Sequence, residues 1–125
     1  MIPKELKYTK EHEWVKIEGS VATVGITDHA QKELGDIVFV EMPELGKKIQ
    51  QMGEFGVVES VKTVSNLYSP VTGTIEAINE NLSSAPETIN KEPYGGGWIM
   101  KVALENPDEV NTLLDAAGYE KVISG

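Results

Sequence analysis

The sequence predicts a mainly β fold, an antiparallel sandwich or barrel of short strands with two small helices. Three observations predict it. Alternating apolar and polar runs recur at short spacing, clusters of Gly, Pro, Asn and Ser separate them, and only two stretches switch to a helical period. No regular helical crossover joins the strands, so the neighbours are expected to pair antiparallel.

Glu13 to Ile26, EWVKIEGSVATVGI, alternates on both sides of Glu18-Gly19-Ser20 and reads as a β-hairpin. Thr27 to Gly35 reads as a short connecting helix: Asp28 with Gln31 three residues later resembles a capping box, and Gly35 a stop. Asp36 to Met42, DIVFVEM, is a strand closed by Pro43 and Gly46, and Lys48 to Met52 is a shorter one before Gly53. Gly56 to Pro70, GVVESVKTVSNLYSP, reads as a second hairpin whose β-forming runs flank Ser60 to Thr63. Its centre has no residue that readily takes positive φ, so the expected connection is longer than a two-residue turn and built on type I geometry.

Val71 to Ile78 is another alternating strand, Asn79 to Pro93 a loop, and Gly97 to Leu104 the last strand. Beyond it Asn106 can cap a helix, Pro107 suits the first helical position and Glu109 lies three residues after Asn106. Val110, Leu113, Leu114 and Ala117 form its apolar stripe, and Gly118 is expected to break or bend it. The 125 residues suffice for one domain, 1–125, and are too few for two ordinary ones.

Twenty acidic residues stand against 11 basic ones, a net charge of −9, and every basic residue is a lysine. That balance argues against a nucleic-acid surface, which needs clustered positive charge. The absence of arginine also removes the bidentate group usually chosen for phosphate or carboxylate substrates. With no cysteine there is no disulfide framework, thiol nucleophile or thiolate metal site. No apolar run approaches the length of a membrane span. MIPKELKYTK has neither a hydrophobic signal core nor arginine-rich transit character, so the expected location is the cytoplasm, or the mitochondrial matrix for a processed organellar form.

No self-contained active site emerges from the residues. His12 and His29 have no partner at a metal-ligand spacing, and no Ser-His-Asp motif is present. Gly95-Gly96-Gly97 precedes a strand rather than a helix and reads as a turn, not a phosphate cradle. Trp14 and Trp98 are expected in the core. Glu11/Glu13 is expected on a solvated face, and Asp108/Glu109 at a helix start. Lys62 is different: Ser60-Val61-Lys62-Thr63 places one amine beside an apolar valine at a hairpin tip, where an attaching enzyme could reach it and convert it to an amide.

Glu59-Ser60-Val61-Lys62, continued by Thr63-Val64-Ser65-Asn66-Leu67-Tyr68-Ser69-Pro70, closely resembles the lipoyl-attachment segment of the glycine cleavage system H-protein family. The resemblance runs nearly end to end, through Tyr8 to Val15, Gly25 to Gln31, Leu34 to Glu41, Pro93-Tyr94 and Gly97-Trp98. It implies a lipoyl/biotinyl-type barrel-sandwich hybrid of two antiparallel sheets with short helices, including a C-terminal one. It implies lipoate in amide linkage on Lys62 and a non-catalytic shuttle. Such an arm takes an aminomethyl group from pyridoxal-phosphate-dependent glycine decarboxylase, passes the one-carbon unit to tetrahydrofolate at the aminomethyltransferase, and is reoxidised by dihydrolipoyl dehydrogenase.

By the same matching, Glu59 and Gly73 occupy positions the family uses for recognition by the lipoate-attaching enzyme, and Glu13 lines a cleft where a loaded arm rests. Asn66 stands where the family usually has Asp, keeping an acceptor without the charge, and Thr63 where it usually has Ala. A biotin carboxyl carrier is the main rival on the same fold, but biotinyl domains usually flank the lysine with Met, and here the neighbours are Val61 and Thr63.

Overall fold

The computed structural model describes residues 2–124. Its strands are β1 (Lys7–Tyr8), β2 (Glu13–Glu18), β3 (Val21–Ile26), β4 (Ile37–Glu41), β5 (Lys48–Ile49), β6 (Glu54–Ser60), β7 (Val64–Tyr68), β8 (Gly73–Ile78) and β9 (Met100–Leu104). The helices are α1 (Asp28–Leu34), α2 (Asn81–Ser84), α3 (Thr88–Lys91) and α4 (Ala116–Ser124). One sheet has the order β1-β2-β3-β9-β8-β5 and the other β4-β6-β7, and every pairing is antiparallel. The expected mainly β architecture of two antiparallel sheets with short helices is what the chain adopts.

Alternation along the strands builds one core between the sheets. Val15, Val24, Ile75 and Val102 from the larger sheet meet Val40, Val58 and Leu67 from the smaller one. Each such side chain contributes about 1.5–3 kcal/mol relative to exposure. A second cluster, Leu6, Tyr8, Trp14 and Tyr119, docks α4 against the edge of the larger sheet, with the Tyr8 and Tyr119 rings stacked at 4.7 Å.

Several elements differ from their sequence expectation, and tertiary contacts explain most of the differences. Thr27, not Asp28, caps α1: its hydroxyl accepts from the Ala30 amide, while Asp28 accepts from the Gln31 side chain one turn in. The expected loop of residues 79–93 contains α2 and α3, whose single turns bury Leu82 and Ile89 under the core. The last strand begins at Met100 rather than Gly97, and Trp98 is half-buried beneath the Lys101 ammonium instead of inside the core. The strand expected over 48–52 is only Lys48–Ile49.

The C-terminal region is also divided differently. A 3-10 turn spans Pro107–Thr112, the chain then extends, and α4 runs through Gly118. Leu114 exchanges backbone hydrogen bonds with Tyr8, which pulls the chain out of helical geometry there. Asp115 then caps the new helix by accepting from the Gly118 amide.

Candidate functional site

The β6–β7 hairpin carries Lys62 at its tip. Glu59 pairs with Val64, and Val61, Lys62 and Thr63 connect the end of β6 at Ser60 to the start of β7. This is longer than a two-residue turn, as expected, and neither Val61 nor Lys62 has positive φ. The buried Ser60 side chain makes it possible. Its hydroxyl accepts from the amides of Lys62 and Thr63, and the Ser60 amide donates to the Thr63 carbonyl at 2.8 Å. The Val61 amide donates to the Asp36 carbonyl at 3.0 Å, tying the tip to the loop ahead of β4.

Lys62 is exposed and enters none of the ion pairs formed among the described residues. Its aliphatic stem lies over Gly35: a Cβ on that glycine would sit 3.5 Å from Lys62 Cε. Gly35 ends α1 at φ 83°, a conformation that side chains resist. The backbone of the tip is therefore held in one place while the amine stays accessible.

Leu34, next to Gly35, lines a cleft of about 150 Å³ together with Ala30 and Glu33 of α1, Val58 of β6 and Leu67 of β7. Glu13 and Asn66, the two arm-cleft candidates, both border it. Glu13 is only 1 % exposed, which corrects its expected place on a solvated face. Its carboxylate accepts from the Thr9 hydroxyl at 2.5 Å and from the Tyr68 amide at 3.2 Å, so it bridges β2 of one sheet to β7 of the other. Burial pushes this carboxyl up to about 8, against the two hydrogen bonds, which favour the ionised form. The cleft thus offers apolar walls and one desolvated carboxyl whose ionised form a cation bound there would stabilise. Asn66 is exposed and donates from its amide to Glu54 at 3.3 Å. An aspartate in that place would face Glu54 with like charge.

The remaining candidates lie differently. Glu59 is half-buried one residue before the turn, between Phe39 and Val64 in neighbouring strands. Gly73 is buried in the larger sheet, opposite Leu104, where an added Cβ would fall 2.0 Å from the Ala103 carbonyl oxygen. Its place is one of close backbone approach, and the tip belongs to the other sheet.

Sequence reasoning passed over His12 as a site residue. It lines the same cleft at φ 72°, and its Nδ1 lies 2.7 Å from the Tyr119 hydroxyl. Tyr119 comes 107 residues later, so no local motif could have announced the pair.

The chain's similarities agree with this geometry. The profile of the family described as Glycine cleavage H-protein matches residues 6–125. A glycine cleavage system H protein of Symbiobacterium thermophilum is 56 % identical over 119 residues, covering 95 % of this chain and 93 % of that protein. One from Staphylococcus carnosus is 53 % identical over 122 residues, covering 98 % and 97 %. The crystal structure of a glycine cleavage system H protein from Mycobacterium marinum superposes with a TM-score of 0.90 at 38 % identity, over 99 % of this chain and 100 % of that one.

Proposed function

The chain belongs to the glycine cleavage H-protein family, whose members are non-catalytic lipoyl carriers of the glycine cleavage system, and from that premise we propose that Lys62 is its lipoyl-attachment residue. The observation that carries this is the tip itself: an exposed amine on a turn pinned by Ser60 and Asp36, with its stem directed past Gly35 beside the cleft. Residues 1–125 act as one carrier domain.

Lipoate suits the residues around Lys62. Ile26, Ala30, Leu34, Val58 and Leu67 give the cleft apolar walls for a hydrocarbon arm, and Glu13 gives it a carboxyl. When attached, the dithiolane supplies the thiol that carries the aminomethyl group and the dithiol that is later reoxidised. This chain's residues position and shelter that group. Glu13, bridged to Thr9 and Tyr68, presents an acceptor for an ammonium in a site from which water is largely excluded. Asn66, which also lines the cleft, offers it a neutral amide. Glu59 and Gly73 serve recognition by the lipoate-attaching enzyme, Glu59 as a charged handle near the amine and Gly73 by allowing the backbone approach that holds β8 on β9.

The partners are glycine decarboxylase, the aminomethyltransferase and dihydrolipoyl dehydrogenase, each bringing its own cofactor to the arm, and the chain works in the cytoplasm. The test is reconstitution. With its partner decarboxylase, the lipoylated chain is expected to support exchange between the glycine carboxyl group and bicarbonate, and the unmodified chain is not. Exchange that proceeds equally with both would refute the carrier assignment.

A further inference from the structure

Tyr119 of α4 places its hydroxyl between two residues that build the cleft. It lies 2.7 Å from the Thr27 hydroxyl and 2.7 Å from His12 Nδ1. Thr27 caps α1, which supplies Ala30, Glu33 and Leu34 to the cleft wall, and His12 lines the cleft itself. The Thr27 amide also donates to the His12 carbonyl at 3.0 Å, and the His12 amide to the Thr9 carbonyl at 3.2 Å, so the backbone holds His12 at φ 72°. That conformation is uncommon outside glycine and costs free energy. Docking of α4 does not require the Tyr119 hydroxyl, because the ring already stacks on Tyr8. The order of protons along these bonds follows from their partners. Thr27 Oγ1 accepts from the Ala30 amide, so its own proton needs an acceptor, and among the described residues the Tyr119 oxygen is that acceptor. The Tyr119 proton then goes to His12 Nδ1. The reverse order strands the Thr27 proton in a fully buried place. Burial pushes the Tyr119 phenol up to about 12, so it keeps the proton it donates. An imidazole that accepts at Nδ1 is neutral and carries its proton on Nε2.

We propose that Tyr119 is a positioning residue of the arm's cleft: ordered by Thr27, its hydroxyl fixes His12 as a neutral imidazole protonated at Nε2, and so keeps positive charge off the wall beside Glu13; the inference rests on the lipoyl-carrier reading. Among the residues lining the cleft, His12 is the one that can gain a positive charge, and the others that ionise, Glu11, Glu13 and Glu33, are acids. A loaded arm ends in an ammonium, which an imidazolium would repel. Charged groups surround His12. Glu11 and Glu13 flank it in the chain, and His29 and Glu33 belong to α1, with the His29 ring 5.0 Å away. Tyr94 and the Asp28–Lys32 ion pair share a neighbouring pocket with His29 and Tyr119. Burial and His29 disfavour the imidazolium and prevail over Glu11 and Glu33, which favour it. The Tyr119 hydrogen bond acts with burial, because it is made to the neutral form.

Two measurements on the full chain test this. The first needs no lipoate: nitrogen NMR of the imidazoles in wild type, Tyr119→Phe and Tyr8→Phe, titrated from pH 5 to pH 8. Wild-type His12 is expected as the Nε2–H tautomer. Tyr119→Phe keeps the ring stack and loses the relay, and should raise the His12 midpoint by about half a pH unit or more. Tyr8→Phe deletes the hydroxyl of the other stacked ring, which donates to the Pro3 carbonyl, and should leave His12 unmoved. The second measurement follows the aminomethyl group on the lipoylated chains by intact mass, after loading by the partner decarboxylase and without tetrahydrofolate. Its hydrolysis consumes water and returns the thiol, formaldehyde and ammonium. At pH 6 the loss should be about threefold faster in Tyr119→Phe than in wild type, with the difference closing by pH 8. Glu13 titrates in both chains, so the difference between them reports His12.

An Nδ1–H tautomer in wild type would overturn the relay, and this reading stands even should Tyr119→Phe fail to fold. So would a His12 midpoint unmoved in folded Tyr119→Phe, or a shift that Tyr8→Phe shares, which would mark general packing as the cause. A raised midpoint with unchanged loss of the aminomethyl group would overturn the part Tyr119 plays in the cleft. A wild-type chain that is never lipoylated or loaded would instead overturn the carrier reading, and the imidazole titration would still decide the relay.

Discussion

Glu13 is the residue whose environment departs most from its chemistry. A carboxyl that ionises near 4.5 in water is pushed up to about 8 by burial, so between those values the folded chain holds a proton that the unfolded chain has lost. Folding then takes up a proton, and stability from this group falls as pH rises through that window, by at most about 1.4 kcal/mol per pH unit. His12 acts in the opposite sense. Burial and the neighbouring His29 hold it below its usual value, so its contribution rises with pH toward 6.5. Comparing wild type with Glu13→Gln therefore isolates Glu13. Denaturant unfolding from pH 5 to pH 8 should show a shallower decline in the variant, and parallel curves would contradict its buried titration. Lys62→Arg should abolish lipoylation and leave the melting temperature unchanged, since exposed substitutions shift stability by under about 0.5 kcal/mol. Lys62 was legible because a turn needs a reason to carry an amine beside valine. The burial of Glu13 was not, because Thr9 and Tyr68 reach it from a neighbouring turn and from the other sheet.

The β6–β7 hairpin works as an element because the Ser60 hydroxyl accepts from two amides of its three-residue connection. Ser60→Ala removes the acceptor shared by the Lys62 and Thr63 amides and should cost about 0.5–1.5 kcal/mol, read by chemical denaturation, with slower lipoylation of the loosened tip. A variant lipoylated at the wild-type rate would show that the serine contributes only to folding. In β8, Gly73→Ala places a Cβ against the Ala103 carbonyl and must push β8 from β9. It is expected to destabilise by more than about 1 kcal/mol, and lipoylation per folded molecule separates this packing role from direct recognition. The strands and both hairpins follow from alternation and turn residues that act locally. The C-terminal division does not, because the Tyr8–Leu114 bridge overrides an apolar stripe that is helical by period. Leu82 and Ile89 were hidden in the same way: a single helical turn has too few residues to show a period, and burial under the sheets decides its shape.

Across the whole molecule, the smaller sheet holds out the lysine, α1 and the sheet edges form the cleft beside it, and the larger sheet with α4 provides the rigid base. No helix among the described residues is long and apolar enough to cross a membrane. The charge of −9 is spread over a chain without arginine, so encounter with partner enzymes should weaken as salt rises past the roughly 10 Å screening length of 0.1 M solution. Titration calorimetry across ionic strength should show this, and constant affinity would contradict electrostatic steering. The most direct test is the intact mass, followed by peptide mapping, of wild type and Lys62→Arg after co-expression with a lipoate-attaching enzyme. One lipoyl group on Lys62 in the wild type and none on the variant is the expected result. A biotinyl group, no group, or a lipoyl group retained by the variant would contradict the assignment of this amine as the carrier's tether.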